Sequence, residues 1–276
     1  MRTNSTRRKL AIASWSSPRE GNIYGKLTFE ATEALAYLDW LRQKSGEKVT
    51  ITHLVGKAVA MALEQSPGLN GVIRFGRFVP HSTVDVTYLV ALEEGQDLAK
   101  AKVPDANKKS VADIARDLRA LAGKLQRGED EQYKKSLGPL RLLPSWLIRP
   151  LVYFVGYLAS VLGWSLPSVG VERYPFGSAV ITNVGMFGLD EGFAPPTPWA
   201  HVPVYVLVGQ VRDAPGVCEG RLVVQKQMSI NATLDHRFLD GAQAGAMAKV
   251  LREVLEHPWR ALEGCERPGS VSSVAS

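Results

Sequence analysis

The chain of 276 residues is long enough for one large domain or two small ones, and for a sizeable buried core. Its content of 45% hydrophobic and 22% charged residues is ordinary for a soluble globular protein. The formal net charge of +6 is small and scattered along the chain, which argues against a nucleic-acid partner but suits a polyanionic ligand.

The two cysteines, Cys218 and Cys265, do not form a CxxC pair. They support neither a disulfide framework nor a zinc site, so no metal site is predicted. A reducing compartment is the default for such a chain, and we expect the cytoplasm. Near the N-terminus the sequence shows no continuous apolar segment of the kind that marks a secretory signal.

The first half of the chain alternates strand and helix signals. Apolar spacing and terminal residues predict helices over 32–46, 54–64 and 111–126, with Ser110 as the cap of the third. Alternation and turn residues predict strands over 25–32, 72–79 and 84–92, the last two as a pair.

Residues 150–171 contain no charged side chain, and the apolar character begins at Leu140. The length would permit a membrane span. Pro150 and Pro167 interrupt the stretch, however, and Arg149 splits it. A buried or subunit-interface helical pair is the favoured interpretation. An interfacial membrane contact through 140–171 and a lid or channel wall remain open.

The second half predicts strands over 178–183, 202–211 and 221–226, and then the strand that leads into a final helix. The segment 202–211 is almost wholly apolar, which is typical of a strand at the centre of a sheet. Residues 268–276 are small and polar, and we expect a disordered tail over 264–276.

One strand of the second half delivers a histidine to its end. Apolar residues alternate from Ile230 to Leu234, His236 follows, and Asp240 lies four residues further on, before Gly241. An arbitrary His-x-x-x-Asp pair is more often a surface or capping pair than a catalyst. The setting raises the chance of chemistry, because functional residues concentrate where strands end and the glycine suggests a close backbone approach.

Four segments, in this order along the chain, resemble a single family. They are ITHLVGKAVAMALEQSPGLNGVI from Ile51, NKKSVADIA from Asn107, AVITNVGMFGLDEGF from Ala179 and DHRFLDGA from Asp235. They look like the catalytic domain of the dihydrolipoamide acyltransferase component of 2-oxoacid dehydrogenase complexes, and more distantly like chloramphenicol acetyltransferase. The resemblance extends over about 7–262 and includes the sequence from His236 into the last helix.

The resemblance implies an α/β fold of the chloramphenicol acetyltransferase type, with a mixed sheet flanked by helices. It places one acyltransferase catalytic domain over 1–263, including an apolar helical insertion at about 137–175, before the tail 264–276. It also implies a homotrimer whose active-site channel lies between subunits. Coenzyme A would enter the channel from one side and the acyl acceptor from the other. No residue is assigned to coenzyme A.

The chemistry that the resemblance implies is acyl transfer between thioesters. A neutral His236 could take the proton of an attacking thiol, and a hydroxyl at Thr182 would donate to the developing oxyanion. Asp240 invites a triad interpretation in which it orients the imidazole. The family implies instead a structural ion pair between Asp240 and an arginine near the N-terminus, with Arg8 as the candidate and Arg7 close behind.

The basic segment 1–19 has the composition of an organellar transit peptide. The favoured alternative is that it contains the domain's own first helix, because the family begins with a similar arginine-rich helix. Arg237 is expected to face the neighbouring chain or a local carboxylate.

The chain also departs from the family pattern. It contains no lipoyl domain, so a lipoyl-bearing protein would have to supply that group from another chain, and the segment 95–103 replaces a family motif near the channel. The insertion argues for a plain trimer over larger assemblies. The prediction is therefore a coenzyme A-dependent acyltransferase that uses a dihydrolipoyl-type thiol or another small acceptor. The alternative is a non-catalytic relative that acts as a scaffold or a membrane-associated assembly subunit.

Overall fold

The computed structural model describes residues 21–92, 97–127 and 145–268. Its helices are α1 (Thr32–Ser45), α2 (Ile51–Gln65), α3 (Val111–Gln126), α4 (Ser145–Gly156) and α5 (Gly241–Glu256). Its strands are β1 (Asn22–Glu30), β2 (Gly71–Arg74), β3 (Arg77–Pro80), β4 (Val86–Leu92), β5 (Asp97–Val103), β6 (Ala179–Asn183), β7 (Val204–Val208), β8 (Arg212–Cys218) and β9 (Arg221–Asp235).

The main sheet has the strand order β1-β9-β7-β6-β4-β5, and β8 pairs with the outer half of the long strand β9. The central strands β4, β6 and β7 run parallel to one another, whereas every other pairing in this sheet is antiparallel. Helices pack on it, so the predicted mixed sheet flanked by helices is confirmed.

Strand β7 lies at the centre of the sheet, as its apolar sequence predicts. All five of its residues are buried, between β6 and β9. Alternate side chains point to opposite faces. Val204 and Val206 therefore join the main core beneath α2 and α5, whereas Tyr205 joins a smaller cluster on the other face with Val180.

The predicted pairing of 72–79 with 84–92 is wrong. Residues 71–80 fold back on themselves as the separate β2–β3 hairpin, with Ile73 opposite Phe78. The turn uses left-handed backbone at Phe75 and Gly76, with φ of 48° and 71°. Strand β4 pairs instead with β5, which the sequence did not indicate, and with β6.

Helix boundaries agree with the sequence where capping residues mark them. Helix α3 begins after Ser110, whose hydroxyl accepts from the backbone N–H of Asp113 at 3.1 Å. Helix α1 ends at Gly46, which takes the left-handed conformation expected of a terminating glycine.

The apolar stretch folds as α4, a π-helical turn over Tyr157–Val161 and a short 3-10 turn at Pro167–Val169. Phe154 and Trp164 are more than half exposed, at 62% and 55%. Among the described residues, no helix has the length and apolar character needed to cross a membrane. Arg7, Arg8 and residues 269–276 lie outside the described part of the chain, as does the segment 128–144.

Candidate functional site

His236 follows directly on the last residue of β9, where the backbone is fixed on both sides. The N–H of Asp235 donates to the carbonyl of Pro203 at 2.9 Å, and the N–H of His236 donates to the carbonyl of Gly21 at 2.6 Å. These two hydrogen bonds therefore hold the backbone of His236 at the edge of the sheet with little freedom to move. The imidazole itself is half-buried.

The Nδ1 atom of His236 lies 2.6 Å from the carbonyl oxygen of Leu239. A carbonyl oxygen can only accept a hydrogen bond, so Nδ1 carries the proton in this contact. In the neutral ring, Nε2 is then the basic nitrogen. A backbone carbonyl three residues along the same loop thus selects the tautomer that can act as a general base at Nε2.

Asp240 begins helix α5 as its N-cap residue. Its Oδ1 accepts from the N–H groups of Ala242 and Gln243 at 2.9 and 3.1 Å, and Gln243 Oε1 accepts from the N–H of Asp240 at 3.1 Å. The side chain is buried, with 8% exposure. These contacts hold the turn that carries His236, whereas the imidazole Nδ1 is bonded to Leu239.

Asp235 and Arg237 flank the histidine and form an ion pair. The guanidinium contacts both carboxylate oxygens, with Nε at 2.9 and 3.0 Å, and the two side chains are only 7% and 12% exposed. The prediction that Arg237 faces the neighbouring chain or a local carboxylate is met by this local pair.

His201 is a further histidine of this region that the sequence analysis did not single out. Its pKa is lowered to about 4, chiefly by burial and also by the guanidinium of Arg237, while Asp235 acts in the opposite direction. His201 takes a positive φ of 54°, uncommon for a residue with a side chain. At neutral pH this imidazole is uncharged.

Thr182 does not lie beside His236 in the same chain. Its register partner across β7 is Leu207, and the partner of Leu207 on β9 is Asn231. His236 follows Asn231 by five residues, so the two candidate residues are separated by roughly 17 Å along the strands and roughly 10 Å across them. One copy of the chain therefore carries the two groups at opposite ends of the sheet.

The end of β6 that carries Thr182 is tied to helix α2. The amide of Asn183 donates to the hydroxyl of Thr52 at 2.7 Å, and Thr52 lies in the first turn of that helix. This contact positions the residue next to Thr182 and places a helix N-terminus beside it. Anionic groups are stabilised near such a terminus.

Phe238 lies inside the His236 loop, and the β2–β3 hairpin packs against it. Its ring meets that of Phe78 at 6.2 Å and 84°, an edge-to-face arrangement. Both rings are nearly fully buried. The sequence could not indicate this support, because it depends on the hairpin that the pairing prediction missed.

Beside Thr182, the face of the sheet away from α2 and α5 is unusually polar for a buried surface. Both amide atoms of Asn231 and the hydroxyl of Thr233 are buried without a hydrogen-bond partner among the described residues. These positions follow one another along β9 towards His236. Buried polar groups are ordinarily paired, so this strip is suited to a polar ligand or to ordered water.

The sheet order, the strand-end histidine and the capped turn after it define a protein of the chloramphenicol acetyltransferase fold. The chain belongs to the family described as 2-oxoacid dehydrogenases acyltransferase (catalytic domain), whose model matches residues 12–134 and 171–263. Residues 135–170 lie between the two matched segments, where the apolar stretch is found.

Two curated relatives illustrate the similarity. The dihydrolipoyllysine-residue succinyltransferase component of the 2-oxoglutarate dehydrogenase complex of Saccharomyces cerevisiae is 24% identical over 270 residues, which cover 95% of this chain and 49% of that protein. The dihydrolipoyllysine-residue acetyltransferase component of the acetoin cleaving system of Bacillus subtilis is 27% identical over 219 residues, covering 78% and 44%. The chain thus spans less than half the length of these relatives.

Solved structures share the fold at low sequence identity. A probable dihydrolipoamide acetyltransferase of Listeria monocytogenes superposes with a TM-score of 0.65 at 18% identity, over 96% of this chain and 91% of that one. The cubic core of the pyruvate dehydrogenase multienzyme complex gives 0.62 at 18%, over 93% and 88%. A chloramphenicol acetyltransferase gives 0.54 at 14%, over 92% and 98%. The predicted fold is confirmed by these likenesses.

Proposed function

We propose that this protein transfers an acyl group between coenzyme A and a thiol acceptor of the dihydrolipoyl type, with His236 as the general base. The observation that carries the proposal is the contact between His236 Nδ1 and the Leu239 carbonyl. It leaves Nε2 as the basic nitrogen of a ring fixed at a sheet edge. Membership in an acyltransferase family supplies the reaction class.

In the proposed reaction, His236 Nε2 takes the proton of the acceptor thiol and the thiolate adds to the carbonyl carbon of the acyl thioester. The addition intermediate carries its negative charge on the former carbonyl oxygen, to which the Thr182 hydroxyl donates. Collapse of the intermediate expels the thiolate of coenzyme A. That thiolate recovers the proton from the imidazolium, so the base is regenerated and the charges balance.

We infer further that the working unit is a homotrimer in which His236 of one chain meets Thr182 of its neighbour. The separation of these residues within one chain supports this arrangement. The β8–β9 hairpin offers a contact surface, because Leu222, Val224 and Val217 are 81%, 78% and 70% exposed there. An exposed apolar patch on a protruding hairpin suits a contact between subunits.

The acyl donor and the source of the acceptor follow from the family. Because the matched relatives act on dihydrolipoyllysine residues, by their names, we propose a lipoyl-bearing protein as the partner. Coenzyme A is treated as a substrate rather than a resident cofactor. The cytoplasm remains the predicted location, supported by two exposed free cysteines.

The test measures thiol release from a panel of acyl-coenzyme A donors, with dihydrolipoamide, simple amines and simple alcohols as acceptors. The His236→Ala variant is compared with His257→Ala, which removes an exposed histidine at the end of α5. Loss of a general base should lower turnover by about 10²–10⁴-fold, whereas the control should keep it. Turnover that survives in His236→Ala would refute the assignment.

The same panel distinguishes the alternative function. A scaffold would give no acceptor-dependent turnover with any pair of substrates and would not bind coenzyme A. Turnover with amines or alcohols but not with dihydrolipoamide would keep the enzyme class and change the acceptor.

A further inference from the structure

A cavity of about 150 Å³ lies at the edge of the sheet where β4 and β6 begin, separate from His236. Two segments far apart in the sequence form its walls, the loop 81–85 and the segment 173–177. Gly177 joins them with a φ of 63°, and the backbone N–H of Ser178 donates to the carbonyl of Asp85 at 3.0 Å. A side chain at 177 would collide with that carbonyl, so the glycine permits the close approach.

Several residues with polar side chains line the cavity. His81 Nδ1 is buried and has no hydrogen-bond partner among the described residues. Ser82 and Thr83 line the same cavity and contribute hydroxyl groups. Buried polar atoms are ordinarily paired, so the unpaired ring nitrogen of a residue that lines this cavity indicates a missing partner.

The loop that carries these groups is held in place by a buried asparagine. The amide nitrogen of Asn70 donates to the carbonyl of Thr83 at 3.0 Å, and the hydroxyl of Ser178 donates to Asn70 Oδ1 at 2.6 Å. The side chains of Ser82 and Thr83 take no part in these bonds. The cavity is therefore a rigid part of the fold, and removing a lining hydroxyl leaves its frame intact.

The one carboxylate in the lining already has partners. Asp85 Oδ1 accepts from the backbone N–H of Asp105 at 3.2 Å, and Asp85 Oδ2 lies 3.8 Å from Lys102. Lys102 is only 14% exposed and also contacts Glu172, at 3.1 Å. The acidic groups near the cavity are thus occupied by lysine and by backbone.

Two arginine side chains bring positive charge to this cavity. The guanidinium of Arg173 lies over the ring of Tyr174 at 4.8 Å and has no carboxylate partner in the described part of the chain. Arg74 adds a second positive charge close by, where it donates to the hydroxyl of Tyr174 at 3.0 Å. The pKa of His81 is lowered to about 4, chiefly by burial; Asp85 raises the pKa, whereas Arg173, Lys102 and Arg74 each lower it. Arg173, Lys102 and Arg74 thus bring positive charge close to the cavity, beside the carboxylate of Asp85.

We propose that this cavity binds a small oxyanion, a phosphate group or a short carboxylate. The guanidinium of Arg173 supplies the charge, the hydroxyls of Ser82 and Thr83 donate hydrogen bonds, and Nδ1–H of a neutral His81 donates a third. The volume admits a group of a few heavy atoms, and a larger ligand would have to extend through the open side. The site stands independently of the acyl-transfer proposal.

The test is isothermal titration of the full chain with inorganic phosphate and, separately, with succinate, at constant ionic strength set by chloride. The variants are Arg173→Gln, which removes the charge, and Thr83→Val, which removes a hydroxyl from a side chain of the same shape. The matched control is Arg77→Gln, which removes an exposed arginine of the neighbouring hairpin that does not line the cavity. Circular dichroism establishes that each variant is folded.

Binding to the unmodified chain should be weakened about tenfold or more by Arg173→Gln and severalfold by Thr83→Val, with no change in Arg77→Gln. Phosphate alone, succinate alone or both as ligands would support the site and identify the anion it prefers. No binding of either anion up to about 20 mM would overturn the proposal, as would equal weakening by Arg173→Gln and Arg77→Gln.

Discussion

The backbone carbonyl of Leu239 holds the imidazole of His236 through Nδ1, at 2.6 Å, in a turn of only four residues. A catalytic histidine needs one ring nitrogen fixed so that the other is free to exchange a proton. In this turn the orienting acceptor is an uncharged carbonyl, whereas in a triad it is a carboxylate. A neutral acceptor fixes the tautomer and adds little stabilisation to the imidazolium.

In the absence of substrate, His236 should therefore be the Nδ1–H tautomer. Nitrogen NMR of histidine-labelled protein at pH 8 distinguishes a protonated Nδ1 from a protonated Nε2. The His236→Ala variant assigns the signal by its disappearance. An Nε2–H signal for this residue would contradict the proposed role, because Nε2 would then hold no lone pair for the thiol proton.

Asp240 should contribute through helix capping and through its charge, and substitution separates the two. Asp240→Ala should lower the free energy of unfolding by about 1 kcal/mol, because two N–H groups at the start of α5 lose their acceptor. Asp240→Asn keeps a capping oxygen and should retain most of that stability. Urea unfolding of both variants measures the difference, with Asp113→Asn as a capping-box control on another helix.

The proposed ion pair between Asp240 and Arg8 adds a second expectation. If the pair exists, Asp240→Asn and Arg8→Gln should each lower stability, and the double variant should lose less than the sum of the two. Strict additivity would show that Arg8 is not the partner. Arg7→Gln then becomes the next variant to combine.

Three histidines should make the protein less stable in acid. Burial lowers the pKa of His53, His81 and His201 to about 4 in the folded state, against 6.5 for an ordinary histidine. Between these values the unfolded chain binds more protons than the folded one. The free energy of unfolding is therefore highest above about pH 6.5 and falls as the pH is lowered towards about 4.

His53→Gln tests this with little disturbance to the fold. His53 Nδ1 accepts from the N–H of Thr50 at 3.1 Å in a capping box, and glutamine is also suited to that role. The slope of stability against pH near pH 5 should become shallower by about one proton. His257→Gln, which removes a histidine at an exposed position, serves as the control. An unaltered slope in His53→Gln would contradict the prediction.

The exposed hairpin should hold the oligomer together. Leu222→Lys combined with Val224→Lys places two charges on the most exposed apolar surface of the β8–β9 hairpin, and should shift the assembly towards monomer in light scattering. Phe75→Lys changes a residue that is 78% exposed on the other hairpin, and should leave the mass unchanged. Intact oligomers in the double variant would exclude this surface as the contact.

Parts of this structure could be predicted because local sequence decides them. Ser110 marks the start of α3, and the apolar run around Val206 identifies a central strand, since burial on both faces demands it. The alternation before His236 identifies the strand that carries it. The tie of Nδ1 to Leu239, by contrast, depends on the exact path of a four-residue turn, which residue type does not indicate.

Other parts depend on contacts between distant segments. The pairing of 72–79 with 84–92 was wrong because Phe75 and Gly76 turn the chain earlier than its apolar pattern suggests. The support of Phe238 by Phe78 and the burial of His201 follow from tertiary packing alone. The cavity beside Arg173 likewise exists only because Gly177 brings two remote segments together.

The separation of His236 and Thr182 in one chain leads to a test by mixing. His236→Ala and Thr182→Val should each be almost inactive as pure oligomers, since one lacks the base and the other the oxyanion donor. If each site takes its histidine from one chain and its threonine from the next, random trimers from an equal mixture contain some complete sites. A complete site needs histidine from the Thr182→Val chain and threonine from the His236→Ala chain. This combination has a probability of about one quarter.

The two variants should therefore be unfolded together, refolded as a mixture and assayed against the separately refolded proteins. Activity should rise to about a quarter of that of the unmodified oligomer, far above the sum of the two parents. Mixing the folded proteins without exchange serves as the control and should give no gain. If co-refolding also gives none while mixed oligomers are detected by mass, His236 and Thr182 do not complete a site between chains. That result would overturn the proposed trimeric arrangement. It would not return the two residues to a site within one chain, because the sheet keeps them too far apart to act there.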